Sequence, residues 1–422
     1  MTMAARSQSF LSRSFSPYYT RWLTAILLYL ATNQIEAQYS YLTNNNLFYY
    51  SLNSNGVTIT GYVGPGGAVI IPPVIRNTNV TDIASSTFKN STNLNSIIIP
   101  ITVTNIEDNS FSGCRNLTNV VLSDNTASFG TKAFYQCFRL QNIALPDGLI
   151  SIGFAAFVSC SNLPSITIPN SVTNLGAYAF NGCSGLTNAI IGNGVITISN
   201  DAFNNCSKLT TVTIGNNVTS IGAGAFVNGA INNIAIGNNV TNIDGAAFEG
   251  CRNLINITIP NSLINIGAYA FDYCLNLTNV IIGNNVNNIQ DAAFYDCPNV
   301  TAVFFRGNAP SLGASVFGGD NAATIYYLPE TTGWSNSFAG IPAVLWNPTM
   351  QVTDSGFGVQ NNQFGFNITG TADIPILIEA GTDLNQPSWM PLFSGTLTNG
   401  SIYFSDPPWL NYSNRFYRIS SP

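Results

Sequence analysis

Along most of the chain, apolar and polar positions alternate within a unit that repeats every 23 residues. Phenylalanine marks the unit most clearly, and the only step that differs is one of 22 residues, from Phe226 to Phe248. The marker positions are Phe88, Phe111, Phe134, Phe157, Phe180, Phe203, Phe226, Phe248, Phe271, Phe294 and Phe317. A fixed period of about 20–50 residues is typical of solenoids. The period therefore predicts one repeat array.

Each unit contains two short apolar segments separated by a turn. In the unit at 209–226, Leu209 and Ile214 belong to a strand with one buried face, and a second inward residue follows at Ile221. The Gly-Asn-Asn between them, at 215–217, predicts a reversal of the chain. A small residue before nearly every marker phenylalanine, such as Ala133 or Ala179, predicts a tight helical or 3₁₀ corner. Because one unit cannot bury its own apolar groups, we expect successive units to stack.

The chain divides into four predicted segments. Residues 1–37 combine arginines, the apolar run WLTAILLYLA and the small Ala37, which predicts a secretory signal peptide cleaved near Ala37. That run is shorter than the roughly twenty residues that cross a bilayer, so the mature chain is expected to have no membrane-spanning segment. Residues 38–80 are predicted to form an N-terminal cap and 81–345 a solenoid of about ten or eleven repeats. Alternating strands at 346–422 predict a small β-sandwich-like module.

The consensus L-x-x-I-x-I-P/G-x-x-V-x-x-I-G-x-x-A-F-x-x-C-x-x-L resembles the BspA-like, or Treponema-type, leucine-rich repeat over residues 45–345. This resemblance implies a leucine-rich repeat solenoid, β-rich α/β in class, followed here by the small all-β domain. It also implies binding, since the family consists largely of surface or secreted proteins of bacteria and some protists, and its characterised members are adhesins. The strings IEAGTDLNQPSWMPL and RFYRISSP are similar to C-terminal modules of exported proteins from Verrucomicrobia-like bacteria, which have no defined activity.

Charge and residue usage exclude several functions. Charged residues make up 8% of the chain and the net charge is −6, with no basic cluster, which argues against a nucleic-acid partner. The chain contains no histidine, so the commonest general base and metal ligand is missing. We therefore predict that the protein is not an enzyme and has no cofactor. Paired carboxylates leave a glycan-active enzyme as a remote alternative.

The eight cysteines form one column, each three residues after a marker phenylalanine. They are Cys114, Cys137, Cys160, Cys183, Cys206, Cys251, Cys274 and Cys297. Neighbouring units would bring them within disulfide distance, so pairing remains an alternative. However, all share one register, and no partner is stranded where Ser91 or Gly229 replaces cysteine. The pattern favours buried thiols that act as small apolar groups, and a single column does not provide the tetrahedral cage of a zinc site.

Two sets of residues are candidate sites. Residues flanking the inward positions of the first strand predict an exposed binding face, although β propensity alone is the competing explanation. Its members are Asn119, Val121, Asn142, Asn188, Ile190, Thr211, Thr213, Asn256, Thr258, Asn279, Ile281 and Phe304. The second set, Glu249, Asp272 and Asp296, is a weak candidate for a Ca²⁺-binding edge, with a solvated acidic edge as the alternative.

The sequence thus predicts a secreted or cell-surface binding and adhesion protein whose repeat-built face contacts a protein or glycan partner. The alternative is a structural rod or envelope component that self-associates.

Overall fold

The computed structural model describes residues 47–319, 322–384 and 388–420. The predicted signal peptide and the first residues of the predicted cap lie outside these ranges. The chain from Leu47 onward forms one compact unit. No helix in the described ranges has both the length and the apolar character needed to cross a membrane.

Every turn of the solenoid except the one that contains residues 233–236 contributes a strand to a first face, and these strands run parallel to one another. The first-face strands are Gly67–Ile70, Leu94–Ile98, Asn119–Val121, Asn142–Ile143, Ser165–Ile168, Asn188–Ile191, Thr211–Thr213, Asn256–Thr258, Asn279–Ile282, Ala302–Phe305, Thr324–Tyr327 and Ile341–Leu345. Ser337–Phe338 pairs antiparallel with the last of them. Equivalent residues lie opposite each other, as Asn188 does to Thr211, because the repeat length fixes the register.

The second apolar segment of each unit forms a second face of mostly two-residue parallel strands. They are Gly56–Tyr62, Thr78–Ile83, Asn105–Ile106, Ser128–Phe129, Ser151–Ile152, Asn174–Leu175, Thr197–Ile198, Ser220–Ile221, Asn242–Ile243, Asn265–Ile266, Asn288–Ile289 and Ser311–Leu312. At the N-terminal end, Phe48–Asn53 pairs antiparallel with Gly56–Tyr62, and the short Val74–Ile75 pairs antiparallel with Thr78–Ile83. A glycine follows several of these strands, and successive turns approach closely there, since a Cβ on Gly176 would lie 2.5 Å from the carbonyl carbon of Gly153.

The marker phenylalanines form one continuous stack through the core. Successive rings from Phe88 to Phe317 have centroids 5.0–5.5 Å apart and planes within 11° of parallel. From Phe88 to Phe294 the side chains are fully buried, and Phe317 is nearly so. The second-face residues, such as Ile198 and Ile221, are buried beside them. The predicted stacked solenoid is therefore confirmed.

The corner that carries the marker phenylalanine differs from the predicted helix or 3₁₀ turn. Around Phe180, the N–H groups of Tyr178, Phe180 and Gly182 donate to carbonyls of the next unit at 2.8–3.0 Å. The intervening N–H groups, such as that of Asn181, donate three residues back within their own unit. This alternation requires a left-handed residue on each side of the phenylalanine, here Tyr178 with φ 59° and Gly182 with φ 70°. The corner is thus hydrogen-bonded between units like a sheet, and no helix occurs between residues 47 and 319.

The cysteine column is buried and contains no disulfide among its eight thiols. Each Sγ donates to the carbonyl of the marker phenylalanine in the preceding unit at 3.0–3.4 Å, as Cys183 does to Phe157. Burial raises the pKa of the Cys114 thiol to about 12, which keeps it protonated as a donor. The arrangement is the packing role that the shared register predicts.

The C-terminal module consists of two antiparallel sheets around a core separate from that of the solenoid. One sheet contains Thr349–Gln351, Gly358–Gln360, Gln363–Thr369 and Ser401–Asp406, and the other Pro375–Gly381, Met390–Thr396 and Phe416–Ser420. Two 3₁₀ helices, Thr398–Gly400 and Pro407–Asn411, flank Ser401–Asp406. Phe366 from the first sheet and Ile376 from the second are fully buried in this core. Arg415 Nε and Asp406 Oδ2 form a buried ion pair, 2.8 Å apart.

We expect Phe180→Ala to lower the free energy of unfolding by about 3–5 kcal/mol, because it removes one ring and leaves a cavity between two others. Phe154→Ala is the matched control, since Phe154 is 46% exposed beside the same corner and should cost far less. Urea unfolding followed by circular dichroism measures both. Equal losses in the two variants would contradict the stack as the main source of stability.

Candidate binding face

The predicted binding-face residues lie in two outward columns on the first face. One column aligns Asn188 with Thr211 and the other aligns Ile190 with Thr213, in parallel register. The same alignment brings Asn256 beside Asn279 and Thr258 beside Ile281. The residues Asn142, Ile190, Thr211, Thr213, Asn256 and Thr258 are exposed, and Asn119, Val121, Asn188, Asn279 and Ile281 are half-buried. These columns present amides, hydroxyls and aliphatic groups and contain no charged residue.

The prediction that Phe304 belongs to the exposed binding face is wrong. Its side chain is only 5% exposed, because its ring stacks on Tyr326 at 5.0 Å and meets Trp346 edge-on at 6.3 Å. Tyr326 and Trp346 in turn pack against the core of the C-terminal module, and Trp346 Nε1 donates to the carbonyl of Pro375 at 2.8 Å. The module therefore covers this end of the first face. The open part of the predicted face ends at Ile281.

A depression interrupts the first face at a place that the pattern of outward residues does not predict. Residues 233–236 form no strand, although residues 233–235 are equivalent in sequence to Thr211–Thr213. The depression beside them has a volume of about 450 Å³, and its lining includes Ile234, Asn256 and Arg306. The sequence signal for it is the 22-residue step, which falls in the same unit.

The acidic edge does not form a metal site. Among the described residues, no three His, Cys, Asp or Glu side chains lie close enough to hold a metal ion. Glu249 and Asp296 are half-buried, whereas Asp272 is only 5% exposed and its Oδ1 has no hydrogen-bond partner. Burial, together with repulsion from Glu249 and Asp296, raises the pKa of Asp272 to about 6 against the opposing effect of the Tyr273 N–H. The prediction of a Ca²⁺-binding edge is therefore wrong, because the Asp272 carboxyl is buried and does not form an open edge with Glu249 and Asp296.

A family comparison accounts for the repeat unit. The model of the BspA type leucine rich repeat region matches overlapping segments, 81–210, 127–254 and 219–339, which together cover more than half of the chain. The chain belongs to the BspA-type leucine-rich repeat family. The match ends before the C-terminal module of this BspA-type protein, so the similarity of that module to Verrucomicrobia-like exported proteins stays a prediction. No curated protein sequence matches the chain.

Several solved structures are similar to this BspA-type protein. The T. pallidum leucine rich repeat protein is 27% identical, with a TM-score of 0.43, and the match covers 50% of this chain and 89% of that one. A leucine-rich repeat protein from Bacteroides ovatus is 21% identical, with a TM-score of 0.40 and coverage of 72% and 99%. A leucine rich cell surface protein from Faecalibacterium prausnitzii is 24% identical, with a TM-score of 0.28 and coverage of 63% and 94%.

The stability of this BspA-type protein should depend on pH through Asp272. Because its folded pKa is raised above the ordinary value of 3.8, the native state favours the protonated carboxyl, and stability is lost as the pH rises from about 4 through about 6. We expect Asp272→Asn to raise the free energy of unfolding at pH 7 by about 1 kcal/mol and to have little effect at pH 4.

Urea titrations at both pH values measure this difference, and Asp124→Asn, at an exposed turn residue, is the control. A gain from Asp272→Asn of the same size at pH 4 and pH 7, or a loss at pH 7, would be inconsistent with a desolvated carboxyl.

Proposed function

We propose that the chain is an exported or cell-surface binding protein whose first face, from Asn119 to Ile281, contacts a protein or glycan partner. The observation that carries this proposal is the pair of outward columns, which keep parallel register on either side of residues 233–236 and repeat the same chemistry from turn to turn. A flat array of amides and hydroxyls with interspersed aliphatic groups resembles the composition of non-obligate interfaces, in which charges are few at the centre.

Membership of the BspA-type family supports the proposal, because leucine-rich repeat solenoids are typically binding proteins without catalytic activity. The leader-like sequence ending near Ala37 supports export. The lack of charge on the columns supports contact through shape and hydrogen bonds. Long-range electrostatic steering by the face itself is weak.

Self-association is the second candidate function, and the second face supplies the observation for it. Ile150, Ile196 and Ile264 project from this face and are 48%, 49% and 42% exposed. They share one column with Thr173, Thr219 and Thr241, and this mixed row of exposed aliphatic groups and hydroxyls is a surface that a second copy can bury. This candidate predicts assembly through the second face and no foreign partner.

Two isoleucines of the same turn separate the candidates. Ile190 is 39% exposed on the first face and Ile196 is 49% exposed next to the second-face strand. We expect Ile190→Lys to weaken partner binding at least tenfold, because it puts a charge at the centre of the interface, while Ile196→Lys leaves binding unchanged.

Residues 38–422, screened on protein and glycan arrays and then measured by surface plasmon resonance, provide the assay. Light scattering reports self-association of both variants in parallel. Loss of assembly in Ile196→Lys, with no array partner for the wild type, would favour the structural rod and contradict the proposed binding function.

A further inference from the structure

One unit of the first face is a residue shorter than the others. The missing residue lies in the turn before the strand, because Ile231 follows Phe226 by five residues, whereas Leu209 follows Phe203 by six. Gly229 stands in this turn where the other units mostly have cysteine. With the shorter turn, Ile231 is still buried in the core, but residues 233–236 are not in hydrogen-bonding register with the strands of the turns before and after.

The shortened turn leaves a row of main-chain groups unpaired. The strands Thr211–Thr213 and Asn256–Thr258 belong to two separate sheets, since residues 233–236 between them join neither. One link remains, from the Ile255 N–H to the Asn232 carbonyl at 3.2 Å. Within the described chain, the N–H groups of residues 233–236 have no backbone acceptor. Main-chain donors at a protein surface are normally paired or hydrated, so this row is available to a ligand.

The depression beside these donors combines apolar walls with one cation. Ile234 and Ile236 are each 9% exposed and line it together with Pro260 and Arg306. Arg306 occupies the turn position that Gly283 and Pro260 hold in the two preceding units. Of the described residues that line the depression, Arg306 alone is charged. The neighbouring columns carry no charge that would neutralise it.

We propose that this depression binds an extended, acidic peptide segment of a partner protein. The segment lies across the depression, and its carbonyls accept from those unpaired N–H groups of residues 233–236 that point into it. Its aliphatic side chains cover Ile234 and Ile236, and an Asp or Glu side chain pairs with the Arg306 guanidinium. This inference rests on the proposed function, because it places the contact on the same first face.

A peptide fits these features better than a sugar. The described lining contains no aromatic side chain on which the apolar face of a sugar ring would stack. The unpaired main-chain donors match the carbonyls of an extended peptide, and Ile234 and Ile236, two residues apart, match its alternate side chains. The single guanidinium, that of Arg306, pairs with one carboxylate, and an Asp or Glu side chain of the segment provides it.

Selection from a random dodecapeptide library tests the proposal with residues 38–422 as bait. We expect the enriched peptides to contain Asp or Glu at one position and to be rich in β-branched residues. Arg306→Gln should weaken their binding at least tenfold and remove the acidic preference. The matched control is Arg252→Gln, at an exposed arginine outside the depression, which should leave both unchanged.

Hydrogen exchange locates the contact independently of affinity. A selected peptide should slow exchange of the amides of residues 233–236, which exchange rapidly in the free protein. Several results would overturn the peptide site. In the selection, these are no enrichment of any peptide, enriched peptides without Asp or Glu, or an equal loss of affinity in both arginine variants. Slowed exchange only outside residues 233–236, or binding of an oligogalacturonate in place of a peptide, would also overturn it. If partner binding found on the arrays depends on Ile190 but not on Arg306, this inference fails while the proposed function stands.

Discussion

The fold depends on the contact between one turn of the chain and the next. A single unit has several apolar side chains and no closed core, so burial is possible only when the next unit lies directly on it. The stacked marker phenylalanines show this most plainly, since each ring is covered by the ring before and the ring after. A nearly constant repeat length follows from this requirement, and the one missing residue, in the turn before Ile231, breaks the first-face sheet locally while Phe226 and Phe248 remain stacked.

The contact between neighbouring turns also provides hydrogen-bond partners for the polar groups of the main chain and side chains. Main-chain donors in the strands and corners bond to neighbouring turns, and the cysteine thiols bond to the phenylalanine carbonyls of the preceding turn. Side chains at the turns do likewise, as when Asn217 Nδ2 donates to the carbonyl of Asn193 at 2.8 Å. Asn and Thr make such bonds without charge repulsion between identical neighbours, which a column of like-charged residues would suffer. This accounts for a folded surface with only 8% charged residues.

Most of the fold could be predicted because the same unit repeats along the chain. The features that could not be predicted are those in which one unit differs from the others or contacts residues outside the repeat. The phenylalanine spacing predicted the stack and the inward columns, and the common register of the cysteines predicted packing without disulfides. The corner differs from the prediction because small residues such as Ala179 suit both a helix and a turn, while the left-handed φ of Tyr178 has no sequence signature. The repeat pattern predicts an exposed Phe304, but Tyr326 and Trp346, outside its own unit, cover the ring. The depression near Arg306 arises from one missing residue, whose structural effect depends on the neighbouring turns.

The most direct measurement of the central claim is native thiol reactivity after two deletions. Removing residues 158–180 takes out one 23-residue unit, and removing residues 158–169 takes out about half a unit; both remove Cys160 and leave seven of the eight buried thiols. The account predicts that after the full-unit deletion the seven thiols stay unreactive toward a thiol reagent until the protein is denatured, while after the half-unit deletion thiols near the junction react in native buffer. Equal protection in the two deletions would contradict the requirement that turns stack in a fixed register.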